Sequence, residues 1–255
     1  MTRTLILVAI VGFFLSIASF GIGLNLAGGP EAFRKWPDAP WNKSGHWESD
    51  TEWHSGRPHG PRVDGAGPDT TRELTWDGSR NLDLDVPADV TYTQGPLAKI
   101  TVSGPKGSVD RVEIHDGQIR FNQPMFNAGR LKIVMTAPMV ESFDVSGAQT
   151  LIINGYKQDR ISIDISGSGD VTASGTASRL DLDISGSGDA QLGQLVTDEA
   201  NVDVSGAGDA TIAPRNEATI EVSGAGDVVL MTRPPVLHKD VSGAGKIEEK
   251  GGIEI

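Results

Sequence analysis

The chain has no cysteine. That excludes disulfides, thiolate metal sites, a cysteine nucleophile and a lipidated cysteine. Aromatic residues are scarce, at 5% of 255 residues, and four of the five tryptophans fall before residue 60. Basic residues are in deficit too: 22 Lys and Arg stand against 34 Asp and Glu, a formal net charge of −12. A phosphate-backbone partner needs clustered Lys and Arg, so nucleic acid is excluded as a partner. Glycine, by contrast, is abundant at 32 residues. Few aromatics and many glycines suit a turn-dense β architecture better than a helix bundle.

Long hydrophobic runs are also few. One stretch, Leu5–Ala27, carries no charge and follows Arg3. At about 1.5 Å per residue it makes a helix of roughly 34 Å, enough to cross a bilayer core of about 30 Å. An uncleaved membrane anchor over residues 1–27 is the favoured reading. The alternative is a cleaved signal peptide with Ser16-Ile17-Ala18 as the small-residue site. Either places the remaining chain in the cell envelope, on the periplasmic or extracytoplasmic side of the inner membrane. Residues 28–70 read as a tether, with Pro30, Pro37, Pro40, Pro58, Pro61 and Pro68 and no period of 2 or 3.6. Trp36 and Trp41 suit the headgroup zone beside the helix end. His46, His54 and His59 match no metal-ligand spacing.

From residue 71 onward the pattern becomes alternation. "NLDLDVPADVTY" puts Leu82, Leu84 and Val86 on one face and Asp83 and Asp85 on the other. A serine-led motif then recurs at 146, 166, 185, 205, 223 and 242, with gaps of 20, 19, 20, 18 and 19. Repeats of that regularity mean a solenoid or array. Nineteen residues are too few for a strand, a three-turn helix and two loops, but they suffice for a coil of short strands and corners. Stacked at about 4.8 Å, the coils bury columns of Ile, Leu and Val. The predicted fold is all-β: a right-handed, single-stranded parallel β-helix over residues 71–255, its hand following from the usual crossover of parallel strands.

The motif itself, Ser-Gly-Ser-Gly-Asp at 166–170 and 185–189 and Ser-Gly-Ala-Gly-Asp at 205–209 and 223–227, admits three readings. As a corner, its glycines supply positive φ and its aspartates accept bonds from unpaired backbone N–H groups. As a phosphate cradle it would want a helix N-terminus and a lysine, and neither follows it. As a calcium turn it would bring Asp170, Asp189, Asp209 and Asp227 into one column of carboxylates. The corner reading is favoured, and no metal or cofactor ligands are assigned. The edge copies differ: the first reads Ser-Gly-Ala-Gln-Thr, and the last carries Lys246 in the aspartate position. End coils expose strand edges, so both are expected to cap the stack.

The order "VPADV…QG", then "LKIVMTAPMVESFDVSGA", then serial "DISGSGDV", "DISGSGDA", "DVSGAGDA" and "EVSGAGDV" resembles the bacterial GIN-domain family, also described as auto-transporter adhesin head domains. The resemblance covers roughly residues 71–247. It implies a right-handed parallel β-helix exported to the envelope, and it supplies no catalytic residues.

Two functions follow. One is a non-catalytic, membrane-tethered envelope domain whose acidic β-helix surface serves binding, adhesion or scaffolding towards an envelope protein or polysaccharide. The alternative is a polysaccharide-active lyase or hydrolase using aspartates. Between 141 and 255 the only aromatics are Phe143 and Tyr156 and the only histidine is His238. Sugar-processing grooves use aromatic platforms, and serine nucleophiles need a base. The acids recur once per coil, at Asp164, Asp183, Asp203, Glu221 and Asp240. A catalytic pair is normally one asymmetric constellation. The sequence therefore favours the non-enzyme, with no catalytic residues.

Overall fold

A computed structural model describes residues 63–251. The expected anchor at 1–27 and nearly all of the tether lie outside these residues. Within them, no helix is long and apolar enough to cross a membrane. The described chain is all-β apart from one helical turn.

Its first part holds β1 (Val63–Asp64), β2 (Asp69–Thr75), β3 (Asn81–Asp85), β4 (Ala88–Gln94) and β5 (Lys99–Pro105). The helical turn α1 (Lys106–Val109) leads into β6 (Val112–His115), β7 (Gln118–Phe121), β8 (Met125–Phe126) and β9 (Leu131–Ala137). The repeats then form β10 (Ser142–Val145), β11 (Thr150–Ile165), β12 (Asp170–Ile184), β13 (Ala190–Val204) and β14 (Ala210–Val222). The end is built by β15 (Val228–Leu230), β16 (Val236–Val241) and β17 (Ile247–Glu249).

From β10 onward every pairing is parallel, and the coils stack as a β-solenoid of about five turns. Each long strand bends and contributes to two faces. On the first face Leu82, Phe143, Ile163, Leu182, Val202 and Ile220 fall in one register column. Leu84, Val145, Ile165, Ile184, Val204 and Val222 form the next. All twelve are buried. Burying one such side chain stabilises by about 1.5–3 kcal/mol, so these columns hold the stack together. The alternation of the sequence is thus realised strand by strand.

The all-parallel expectation fails at the beginning. β2 with β5, β5 with β9 and β6 with β7 are antiparallel. Alternation reports which face a side chain takes, not which way the strand runs. Direction is set by the connection, and between β6 and β7 that is Asp116-Gly117, both at positive φ of 51° and 83°. Such a two-residue turn matches the twist of a hairpin.

The Ser-Gly-Ala-Gln-Thr copy is not an exposed end either. β10 rests on β3, and β3 on β7, so the stack continues below it. Gln149 stands where later coils have glycine, and its side chain is buried. Its Nε2 donates to the carbonyls of Leu84 at 3.1 Å and Val86 at 3.3 Å. The amide joins the irregular lower coil to the first regular corner.

At the far end a further pair of charged residues joins Lys246. In the last coil the column positions of Ile220 and Leu230 are taken by Lys239 and Glu249. Lys239 Nζ lies 3.0 Å from Glu249 Oε1. An ion pair therefore replaces the apolar pair above the last complete layer. Inward-pointing charge of this kind blunts edge-to-edge stacking.

Candidate functional site

The corner motif stacks backbone on backbone. The N–H of Ser168 donates to Gly147 O at 2.7 Å, Ser187 to Gly167 O at 2.7 Å, and Ala207 to Gly186 O at 2.8 Å. The ladder thus runs unbroken around the corner. The first glycine of the motif has positive φ only at Gly147 (147°) and Gly167 (152°). From Gly186 onward the requirement is space, which corrects the conformational explanation. A Cβ at Gly206 would sit 2.1 Å from Gly186 O, and one at Gly208 2.1 Å from Gly188 O. No side chain fits between coils that approach this closely.

The motif aspartates hold the same contact from outside. Asp189 Oδ1 accepts the N–H of Asp209 at 3.0 Å, and Asp209 Oδ1 accepts that of Asp227 at 2.8 Å. Asp227 Oδ1 accepts the N–H of Lys246 at 3.0 Å. Each of these carboxylates is satisfied by the coil above it. Cations close both ends of the column. At the bottom Arg130 Nε donates to Asp89 Oδ1 at 2.7 Å and Nη1 to Ala148 O at 2.9 Å. That guanidinium holds Asp89 below the ordinary carboxylate range. At the top Lys246 Nζ lies 2.8 Å from Glu248 and 3.5 Å from Asp227. Among the described residues no cluster of three or more His, Asp or Glu is arranged to hold a metal ion.

A second acidic column has different surroundings. Asp83, Asp144, Asp164, Asp183, Asp203, Glu221 and Asp240 occupy one register row on the outward side of the first face. The flanking row reads Asn81, Ser142, Ser162, Asp181, Asn201, Thr219 and His238. Strands about 4.8 Å apart put neighbouring carboxylates at similar spacing, where like charges repel by about 1 kcal/mol in a water-like medium. Among the described residues no Lys or Arg forms an ion pair with any of the seven. Arg160 turns to Asp181 at 3.3 Å, and Arg179 pairs with Glu199. Partial burial, then the charges of Asp83 and Asp164, push the Asp144 carboxyl above its ordinary value. Burial, then Asp164 and Asp203, do the same to Asp183. An open groove of about 360 Å³ runs along this row, lined by Ser162, Asp164, Asp181, Asp183, Asn201 and Asp203.

The two aromatics of the repeat region serve the core. Phe143 and Tyr156 are buried, edge-on to each other with centroids 6.3 Å apart, and Phe143 meets Tyr92 at 5.3 Å. Neither is a platform for a sugar ring.

These features define a β-solenoid with a repetitive acidic face, aromatics turned inward and corners built from backbone contacts. Residues 80–234, more than half of the chain, match the family described as "Putative auto-transporter adhesin, head GIN domain", and the chain belongs to it. Among solved structures, a protein from Bacteroides fragilis described as a "putative adhesin" is similar at 20% identity and a TM-score of 0.59. The match covers 73% of this chain and 99% of that one, and it shows a shared fold. A "putative lipid binding protein" from Parabacteroides distasonis matches at 18% identity and a TM-score of 0.47, over 74% of this chain and 99% of its own. A "putative adhesin" from the same organism matches at 15% and 0.48, over 74% and 100%. No protein of curated function matches this chain in sequence.

Proposed function

We propose that this chain is a non-catalytic, membrane-tethered domain of the cell envelope, its right-handed β-helix presenting the acidic first face for adhesion or scaffolding. The observation that carries the reading is the row from Asp83 to Asp240: seven carboxylates in register that have no ion-pair partner among the described residues. Uncompensated charge on an open surface costs stability, and a partner bearing cationic groups relieves it. The adhesin descriptions of the family and of the Bacteroides fragilis protein are consistent with this role. A polysaccharide lyase or hydrolase fits less well. The row repeats one arrangement coil after coil, whereas acid–base catalysis needs two carboxyls in unlike surroundings.

The partner is an envelope protein or polysaccharide, and the membrane is reached through the helix at 1–27. The test immobilises the full chain in detergent and offers it solubilised envelope proteins and purified cell-wall polysaccharide. Retention should fall with added salt, and should be lost in the triple variant Asp164→Asn/Asp183→Asn/Asp203→Asn. Equal retention by the triple variant would exclude the acidic face. For the tether, intact mass should show Met1–Ala27 retained, and a mature N-terminus near Ser19 would contradict the anchor.

A further inference from the structure

The acidic row contains more than uniform charge. Asp144, Asp164 and Asp183 are consecutive members on three successive coils, from β10, β11 and β12. Asp144 faces Asp83 and Asp164 across its two neighbouring strands, and Asp183 faces Asp164 and Asp203. The other groups around them offer no cation. Gln118 Nε2 is bonded to Asp83 at 2.9 Å, and Asp181 is held by Arg160. Ser142, Ser162 and Asn201 are neutral, and Glu141 is paired with Arg80 at 2.8 Å. Further along the row lie Glu221 and Asp240, with His238 beside the latter. The middle carboxylate, Asp164, therefore has an acid on each side and no ion-pair partner among the described residues.

We propose that Asp144, Asp164 and Asp183 form an acid-operated clamp. As the pH falls, Asp144 and Asp183 each take up a proton and donate the O–H to the Asp164 carboxylate between them. Two repulsions become two charge-assisted hydrogen bonds, and three coils are tied together. No other reactant is involved: two protons come from solvent and the charge of the face falls by two. Both flanking carboxyls bind protons more readily folded than unfolded. The destabilisation is therefore present at neutral pH and is relieved as pH falls through their raised values towards 3.8. The solenoid is more cohesive in mild acid than at neutrality, whatever its surface binds.

The test is thermal unfolding of the full chain in detergent at about pH 7.5 and in steps down to about pH 4. The wild type should gain about 3–6 °C on acidification. Asp144→Asn/Asp183→Asn, which imitates the neutral donors, should already melt higher than wild type at the neutral pH and gain little more. Asp159→Asn/Asp198→Asn removes the same charge away from the row and should keep the full acid gain. A wild-type melting point that stays flat or falls, or equal behaviour of the two double variants, would overturn the clamp. Should the first variant fail to fold, carboxyl-carbon NMR of the wild type decides. Midpoints for Asp144 and Asp183 above 3.8 that fall back in Asp164→Asn support the clamp, and midpoints at or below 3.8, or unchanged by that substitution, refute it.

Discussion

At the Ser-Gly-x-Gly-Asp corner five residues recur in every regular coil without insertion, while at the opposite bend the ladder slips. Register shifts fall between Ile153 and Tyr156, between Thr172 and Ser174, and between Gln191 and Glu199. Before the bend β11 and β12 pair with an offset of 20, as in Thr150 with Asp170; after it the offset is 19, as in Ile161 with Leu180. The unequal repeat lengths are therefore absorbed at the bends. The contrast has a steric origin. Backbone touches backbone in every regular corner, as at Gly206, whereas at the bend crowding is local: a Cβ on Gly175 would lie 2.1 Å from Tyr156 O, but one on Gly155, at φ 64°, would meet nothing within 4 Å. One turn fixes the register of the solenoid and the other takes up the slack.

The sharpest way to break that comparison is insertion. One alanine between Gly206 and Ala207 should shift the core residues of β14 up to the next bend to the wrong face and break the stacked corner, costing about 5 kcal/mol or more. The same residue between the exposed Arg215 and Asn216 should cost about 1 kcal/mol or less, since the bend already varies in length. Circular dichroism melts of the two chains would reveal the difference, and equal losses would erase the distinction between the turns. Substitution gives the next largest contrast. Gly206→Ala forces a methyl against Gly186 O and should cost about 3 kcal/mol. Gly155→Ala meets only backbone strain, about 1–2 kcal/mol.

Smaller effects test the polar parts. Asp209→Ala orphans the N–H of Asp227 and should cost about 1–2 kcal/mol in denaturant titration. Lys239→Ile should scarcely change stability, yet it restores an apolar column at the open end. Light scattering should then detect end-to-end association that the wild type lacks. A variant that remains in the wild-type oligomeric state would remove the ion pair's protective role.

Much of this was legible in the residues. The serine spacing gives the coil, and the alternation at Leu180, Leu182 and Ile184 gives the buried face. The carboxylate row follows from one acid per coil. What escaped has identifiable causes. Strand direction before residue 140 depends on turns, and the one explicit signal, Asp116-Gly117, is a two-residue hairpin that alternation obscures. The crowding at Gly206 is an inter-coil distance, invisible until coils are stacked. Lys239 and Glu249 are ordinary surface residues in sequence and become an end plug only because they continue the columns of Ile220 and Leu230. The acidic row and the corner aspartates look alike in composition. They differ in whether a backbone N–H from the next coil reaches the carboxylate, as it does at Asp189 and Asp209.

A corner held by its own backbone folds without an ion. That is tested most directly by melting the full chain with a chelator, with added Ca²⁺, and with NaCl of matched ionic strength. One melting temperature is expected under all three conditions, apart from ordinary salt screening. A fall of more than about 10 °C in chelator, reversed by Ca²⁺ and not by NaCl, would be the linkage expected of a bound metal and would contradict it.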